Sequence, residues 1–231
     1  YTNESGSWVA RETRWNGEIP WNDTGLVALW HFNNESLFGE NSTLVYDWSG
    51  NNISLSCSSN CPLFVSDGRF GSAYHFDTSL SDFTHSDTDY FSNWSEMTVI
   101  AWVNPLRNQS SIGISGDIIS KRHDGSGGIW NMFYLRVGVN NNVDFYISNA
   151  TNGYTLISSS SNLVLSNTWT QIVGRYNGSV INIFVNGLRN GSGNFGGIIK
   201  DTNGLIYTSY SNFNGSIDEV AIWNRSLSDE E

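Results

Sequence analysis

Positive charge, proline, sulfur and long apolar runs are all scarce in this chain of 231 residues. Lys and Arg together number 11 against 22 Asp and Glu, giving a net charge of -11. Binding phosphate backbones requires clustered cations, so nucleic acid is excluded as a partner. No apolar run approaches the ~20 residues that span a bilayer, so no membrane contact is expected within the chain. No secretory signal stands at the N-terminus, and any anchor or further domain of a longer parent chain is expected outside these residues. Three Pro and 23 Gly mean that turns fall to Gly, Asn and Ser. No stretch before the last few residues keeps a 3.6-residue period, which excludes a helical architecture.

With only two cysteines, Cys57 and Cys61, a zinc site lacks ligands, whereas three intervening residues suffice for a small disulfide loop. A disulfide implies an oxidising compartment. The pattern Asn-x-Ser/Thr points the same way. It begins at Asn3, Asn22, Asn34, Asn41, Asn52, Asn93, Asn108, Asn149, Asn177, Asn190, Asn214 and Asn224, about twice the number that chance placement gives. The expectation is an extracellular, glycosylated protein at a cell surface.

What the chain has in quantity is aromatic and β-branched residues: 10 Trp, 10 Tyr and 12 Phe favour strands. Residues 1–24 have no clean period and read as a leader packed on the body of the fold; 25–231 read as one β domain. Gly25-Leu-Val-Ala-Leu-Trp-His-Phe32 alternates, with Leu26, Ala28, Trp30 and Phe32 on one face. Further strands are expected at 73–76, 97–103, 117–121, 133–137, 143–147, 155–158, 168–176, 180–185 and 205–207. Asn177-Gly178 and Asn186-Gly187 are hairpin turns. Asp47-Trp-Ser-Gly-Asn51 is turn chemistry, with Gly50 free to take positive φ. In the final segment Ile217, Ala221 and Trp223 are expected on one side and Val220 and Ile222 on the other. Ser226 or Ser228 then offers a helix cap. A dozen or so short strands close most naturally as a two-sheet antiparallel jelly-roll sandwich, an all-β fold.

Eight blocks carry a family resemblance. They are Gly25 to Phe32, Asp47 to Asn51, Gly68-Arg-Phe-Gly-Ser-Ala-Tyr-His-Phe-Asp77, Met97-Thr-Val-Ile-Ala-Trp-Val103, Trp169-Thr-Gln-Ile-Val173, Tyr176-Asn-Gly178, Phe184-Val-Asn-Gly187, and Gly215-Ser-Ile-Asp-Glu-Val-Ala-Ile-Trp-Asn-Arg-Ser-Leu227. In this order the chain resembles the laminin-G-like, concanavalin A-like lectin/glucanase jelly-roll domains over about residues 25–231. The resemblance implies adjacent first and last strands, a concave sheet, and use as a carbohydrate-binding or adhesion module in larger surface proteins. It also implies a structural Ca²⁺ held by Asp218, the Gly71 carbonyl and Asn33 or Asn34. The chain has Asn33 where relatives often carry an acid, and Thr78 after Phe76-Asp77 where they often carry Gly. The other reading of Asp218 is a turn cap or an ion pair with Arg225. The acidic loop 77–89 lacks EF-hand spacing and reads as solvated.

A sugar face needs an aromatic platform beside fixed polar groups. Trp130, Asn131, Tyr134 and Arg136 are the candidates, with Tyr90 or Tyr146 beside them. Glycoside hydrolysis needs two facing carboxylates. No Glu-x-Asp-x-Glu occurs, Asp218 and Glu219 are adjacent, and no Gly-x-Ser-x-Gly accompanies His31, His75, His85 or His123, so an enzyme is not expected. The expected partner is a glycan, the alternative being another surface protein contacted by a structural module of a fibre or layer.

Overall fold

A computed structural model describes residues 24–77, 82–86, 88–122, 131–151, 153–210, 212–229 and 231. Segments with period-two hydrophobicity between Asn, Gly and Ser turns become strands. In chain order they are β1 (Leu26–Trp30), β2 (Leu44–Val45), β3 (Leu55–Ser56), β4 (Leu63–Val65), β5 (Ala73–Phe76), β6 (Phe83–His85), β7 (Met97–Pro105) and β8 (Gly116–Arg122). There follow β9 (Asn131–Val137), β10 (Val143–Ser148), β11 (Tyr154–Ser158), β12 (Thr170–Tyr176), β13 (Val180–Val185), β14 (Leu188–Asn194), β15 (Leu205–Thr208) and β16 (Gly215–Trp223). Helix among the described residues is limited to three 3-10 turns at 36–38, 89–91 and 109–111.

The strands form two sheets of eight, paired antiparallel throughout. The first has the order β14-β13-β12-β7-β16-β5-β4, with β1 also on β16; the second has the order β11-β10-β9-β8-β15-β6-β3-β2. This is the expected jelly-roll sandwich, and the first and last strands are neighbours. The hairpin turns also hold: Gly178 (φ +86°) follows β12, and Asn186 (φ +50°) with Gly187 (φ +77°) joins β13 to β14. Positive φ at both central residues matches the twist of the flanking strands.

The core lies between the sheets. Val99, Ala101, Ile172, Ile181 and Ile183 of the first meet Ile119, Phe133, Leu135, Phe145 and Ile147 of the second. Gly174 of β12 shows how closely the layers approach: a Cβ there would stand 2.5 Å from the Phe145 ring. The turn at Asp47 fastens onto β1, since its buried carboxylate accepts the backbone N–H groups of Leu29 and Ile53 and Asn51 donates to the Val27 carbonyl.

Three expectations change. In β16, Ile217 faces the core together with Val220 and Ile222, while Ala221 and Trp223 join a second apolar cluster with Leu26, Leu29 and Trp48. The cause is a bulge between Asp218 and Ala221, where Glu219 takes φ +49° and the side-chain alternation slips by one. A bulge between Leu26 and Ala28 similarly places Val27 beside Ala28 in the main cluster. The expected helix start does not form among the described residues after Trp223. Arg225 instead binds the Glu231 carboxylate at 2.7 and 3.0 Å, and the Ser228 N–H donates to the same group at 2.9 Å.

Candidate functional site

The bulge in β16 creates one of two places where chemistry is concentrated. On one side β16 pairs continuously with β7 apart from the bulge; on the other it is shared, with β5 taking 215–217 and β1 taking 220–223. Asp218 stands at the break, where the chain leaves β1 and where it enters β5. Its Oδ2 accepts the backbone N–H groups of Arg69 at 2.8 Å and Phe70 at 2.9 Å. Asn33 reaches the same loop, its Oδ1 accepting the Ser72 N–H at 2.7 Å. Gly71, at φ +86°, gives its carbonyl to the Gly68 N–H at 3.0 Å.

The residues that the resemblance singled out, Asp218, Gly71 and Asn33, are thus gathered around one loop. Asn34 follows directly in the chain. Asp218 Oδ1 and Asn34 Oδ1 are buried oxygens with no hydrogen-bond partner. Asp218 is fully buried, and burial, reinforced by the charge of Glu219, pushes its carboxyl up to about 8. Glu219 turns away to His31, Oε2 lying 2.6 Å from Nδ1. Asp218 does not meet Arg225. Among the described residues no three His, Cys, Asp or Glu gather as a metal cluster, so an ion here would rely on one carboxylate with amide and backbone oxygens.

The second place is the outer face of the second sheet. Strand alternation puts Tyr134 and Arg136 of β9 on this face, and register places Tyr146 opposite Tyr134 and Asp144 opposite Arg136. The rings of Tyr134 and Tyr146 stack at 4.8 Å, and those of Tyr146 and Tyr154 at 5.5 Å. The Arg136 guanidinium lies over Tyr134, 4.8 Å from its centroid, and its Nε donates to Asp144 Oδ2 at 3.0 Å. One strand further, Asp117 is opposite Arg136, Ser120 opposite Tyr134, and Arg122 opposite Asn131. Arg122 binds Asp117 at 2.8 Å and Asn131 Oδ1 at 3.0 Å, and covers Tyr210 at 4.1 Å. A bulge between Lys121 and Arg122 brings Asn131 onto the outer face and sends Met132 inward to the core. Burial raises the phenols of Tyr134 and Tyr146, the latter to about 12, so both stay protonated donors.

Asn131, Tyr134 and Arg136 therefore share a face, as expected, with Tyr146 beside them. Trp130 lies outside the described residues. Tyr90 belongs to the turn at 89–91 and has no ring contact with the tyrosines. Sequence reasoning missed Asp117, Arg122, Asp144 and Tyr154, which come from other strands and become neighbours only through register. Their signal was alternation: Asp144, Tyr146 and Ser148 occupy every second position of β10, as Tyr154, Leu156 and Ser158 do in β11.

Cys57 and Cys61 form the expected disulfide, with Cα atoms 5.5 Å apart. Asn3 and Asn22 lie outside the described residues. The ten described sequon asparagines all fall outside the strands of the second sheet, Asn149 immediately after β10. Asn41, Asn52, Asn93, Asn177 and Asn224 are exposed, while Asn34, Asn108, Asn149, Asn190 and Asn214 are half-buried.

The family profile described as the concanavalin A-like lectin/glucanases superfamily matches residues 77–231. No curated protein matches the sequence. Among solved structures, the binding domain of Paraclostridial Mosquitocidal Protein 1 superposes with a TM-score of 0.70 at 19% identity, covering 90% of this chain and 51% of that one. The botulinum neurotoxin serotype D ligand binding domain, solved in complex with N-acetylneuraminic acid, gives 0.68 at 14% identity, covering 90% and 49%. A Trypanosoma rangeli sialidase gives 0.61 at 12% identity, covering 93% and 32%. The chain thus spans about half the length of the toxin domains it matches.

Proposed function

Because the chain belongs to the concanavalin A-like lectin/glucanase superfamily, we propose that it is a non-catalytic, extracellular recognition or adhesion module of a larger surface protein. It binds carbohydrate on the outer face of the second sheet. The observation that carries this reading is the packed series Arg136, Tyr134, Tyr146 and Tyr154, flanked by hydrogen-bonded Asp144, Asn131 and Arg122. Aromatic rings supply apolar surface for the C–H faces of a sugar, and fixed polar groups supply partners for its hydroxyls. The absence of sequons from the described strands of this sheet supports the same face, since a bulky glycan there would block it.

A hydrolase reading is less well served. The carboxylates on this face, Asp117 and Asp144, are each held in an ion pair with an arginine, at 2.8 and 3.0 Å. Asp144 Oδ1 also accepts from Ser158 Oγ and Asn142 Nδ2. Neither is left to act as acid or nucleophile on a substrate.

We also propose a structural Ca²⁺ at the break in β16. Asp218 Oδ1 and Asn34 Oδ1 would bind it, with the Gly71 carbonyl and Asn33 Oδ1, each of which keeps a second lone pair, adding oxygens. The ion would neutralise a buried carboxylate and tie the first strand to the last.

The test of carbohydrate binding is a glycan array probed with the folded chain and with Tyr134→Ala and Arg136→Ala. Binding to a defined set of glycans that both variants lose is the expected result. A silent array with native protein, or binding that both variants leave intact, rejects the reading.

A further inference from the structure

The charge on the outer face of the second sheet is already balanced. We infer that its ligand is an uncharged, hydroxyl-rich glycan end stacked on Tyr154, not a sialylated or otherwise anionic one. This rests on the reading of that face as a glycan surface.

Among the described residues of β8, β9 and β10, the cations on this face are Arg122 and Arg136, each paired with its own carboxylate. The carboxylates of Asp117 and Asp144 are only 6% and 7% exposed, whereas each arginine side chain is 26% exposed. The acids lie underneath and the guanidinium edges reach the surface. Lys121, on the same strand as Arg122, sends its ammonium inward to the carbonyls of Thr202 and Gly204. Capturing a sugar carboxylate takes an uncompensated guanidinium fork. Here each guanidinium already has a buried carboxylate against it, so an incoming anion meets no net positive charge and would sit close to Asp144 or Asp117. The net charge of -11 works in the same direction by repelling anions at a distance.

A neutral sugar meets no such obstacle. The described partner of Arg136 engages Nε alone, so its terminal nitrogens can donate to hydroxyls. The stacking surface follows from the ring order. Tyr146 has Tyr134 on one side and Tyr154 on the other, and Arg136 covers Tyr134. Tyr154, in the edge strand and 63% exposed, is left with an open ring face.

Titration calorimetry of the folded chain decides the matter, using neutral oligosaccharides and the same oligosaccharides carrying a terminal N-acetylneuraminic acid. Each is measured at about 50 and about 300 mM NaCl. At least one neutral oligosaccharide is expected to bind, with affinity changing less than about twofold between the two salts. Terminal sialylation is expected to weaken it about fivefold or more. Asp144→Asn, which frees Arg136, is expected to narrow that gap. Tighter binding of the sialylated form, weakening as salt rises, overturns this inference and leaves carbohydrate binding standing. No binding of either form overturns both.

Discussion

Tyr146 is held between two other tyrosines, its centroid 4.8 Å from that of Tyr134 and 5.5 Å from that of Tyr154. It is 8% exposed where Tyr154 is 63% exposed, so one ring is packed and the other is open to solvent, and the proposed site expects different losses from the two. Tyr154→Ala should weaken glycan binding about tenfold, the loss of one aromatic contact of about 1.4 kcal/mol. Its melting midpoint should move by less than about 2 °C. Tyr146→Ala removes a packed ring and should lower the midpoint by about 5 °C or more. Calorimetric titration paired with thermal unfolding checks both; equal loss of stability in the two variants would count against this difference.

The break in β16 sets a pH dependence. Asp218 is raised to about 8 from the ordinary 3.8, chiefly by burial. An acid with a raised folded pKa contributes stability that is complete below the unfolded value and is lost as pH rises through the folded one. In chelator, the midpoint should therefore fall by about 5 °C or more between about pH 5 and pH 8, relative to Asp218→Asn. About 1 mM Ca²⁺ takes up the deprotonated carboxylate and should remove that fall in the native chain while leaving the variant unchanged. Superimposable curves for native and Asp218→Asn protein, with and without Ca²⁺, would dismiss the ion site.

Most of the sandwich was legible because its strands bury one face and announce it every second residue. The segment 97–103 is β7 less two residues, and 180–185 is β13 as read. What could not be read depends on partners distant in the chain. β14, Leu188-Arg-Asn-Gly-Ser-Gly-Asn194, has no strand propensity of its own and is extended because β13 pairs with it. The bulge at Glu219 is a backbone event, and it moved Ile217 to the side opposite its expected companions. Asp218 was found through its sequence block, but the orphaned oxygens beside it depend on β1 and β5 ending at the same point. On the outer face of the second sheet, Tyr134 and Arg136 were visible as alternate residues of one strand, whereas the charge compensation of Arg136 by Asp144 needed the β9–β10 register.

The close approach of the layers predicts a large effect from a small change. A Cβ on Gly174 would lie 2.5 Å from three-dimensionally confined ring atoms of Phe145, which is fully buried. Gly174→Ala should cost about 1–3 kcal/mol through overpacking. Phe145→Leu should recover part of that loss in the double variant because it vacates the contested volume. Chemical denaturation of the four proteins gives the coupling directly, and strictly additive losses would show that the two residues do not contest that space.

Glycosylation can be turned into a test of which face is used. Asn41 accepts the hydroxyl of its own sequon threonine at 2.7 Å, is exposed, and lies outside the strands of the second sheet. After secretion from a eukaryotic host, glycans at such sites should be detectable by intact mass. Their enzymatic removal should change oligosaccharide affinity by less than about twofold. The complementary change puts a glycan where none of the described sequons stands: Tyr154→Asn with Leu156→Thr creates Asn-x-Thr on the outer face of β11. Tyr154→Asn alone removes the ring without creating a sequon and should bind about tenfold more weakly than native protein. The double variant, once glycosylated, should lose binding altogether, and cutting the new glycan back should restore the weak affinity of the single variant. A glycosylated double variant that binds as well as the unglycosylated single one would place the sugar site elsewhere on the sandwich.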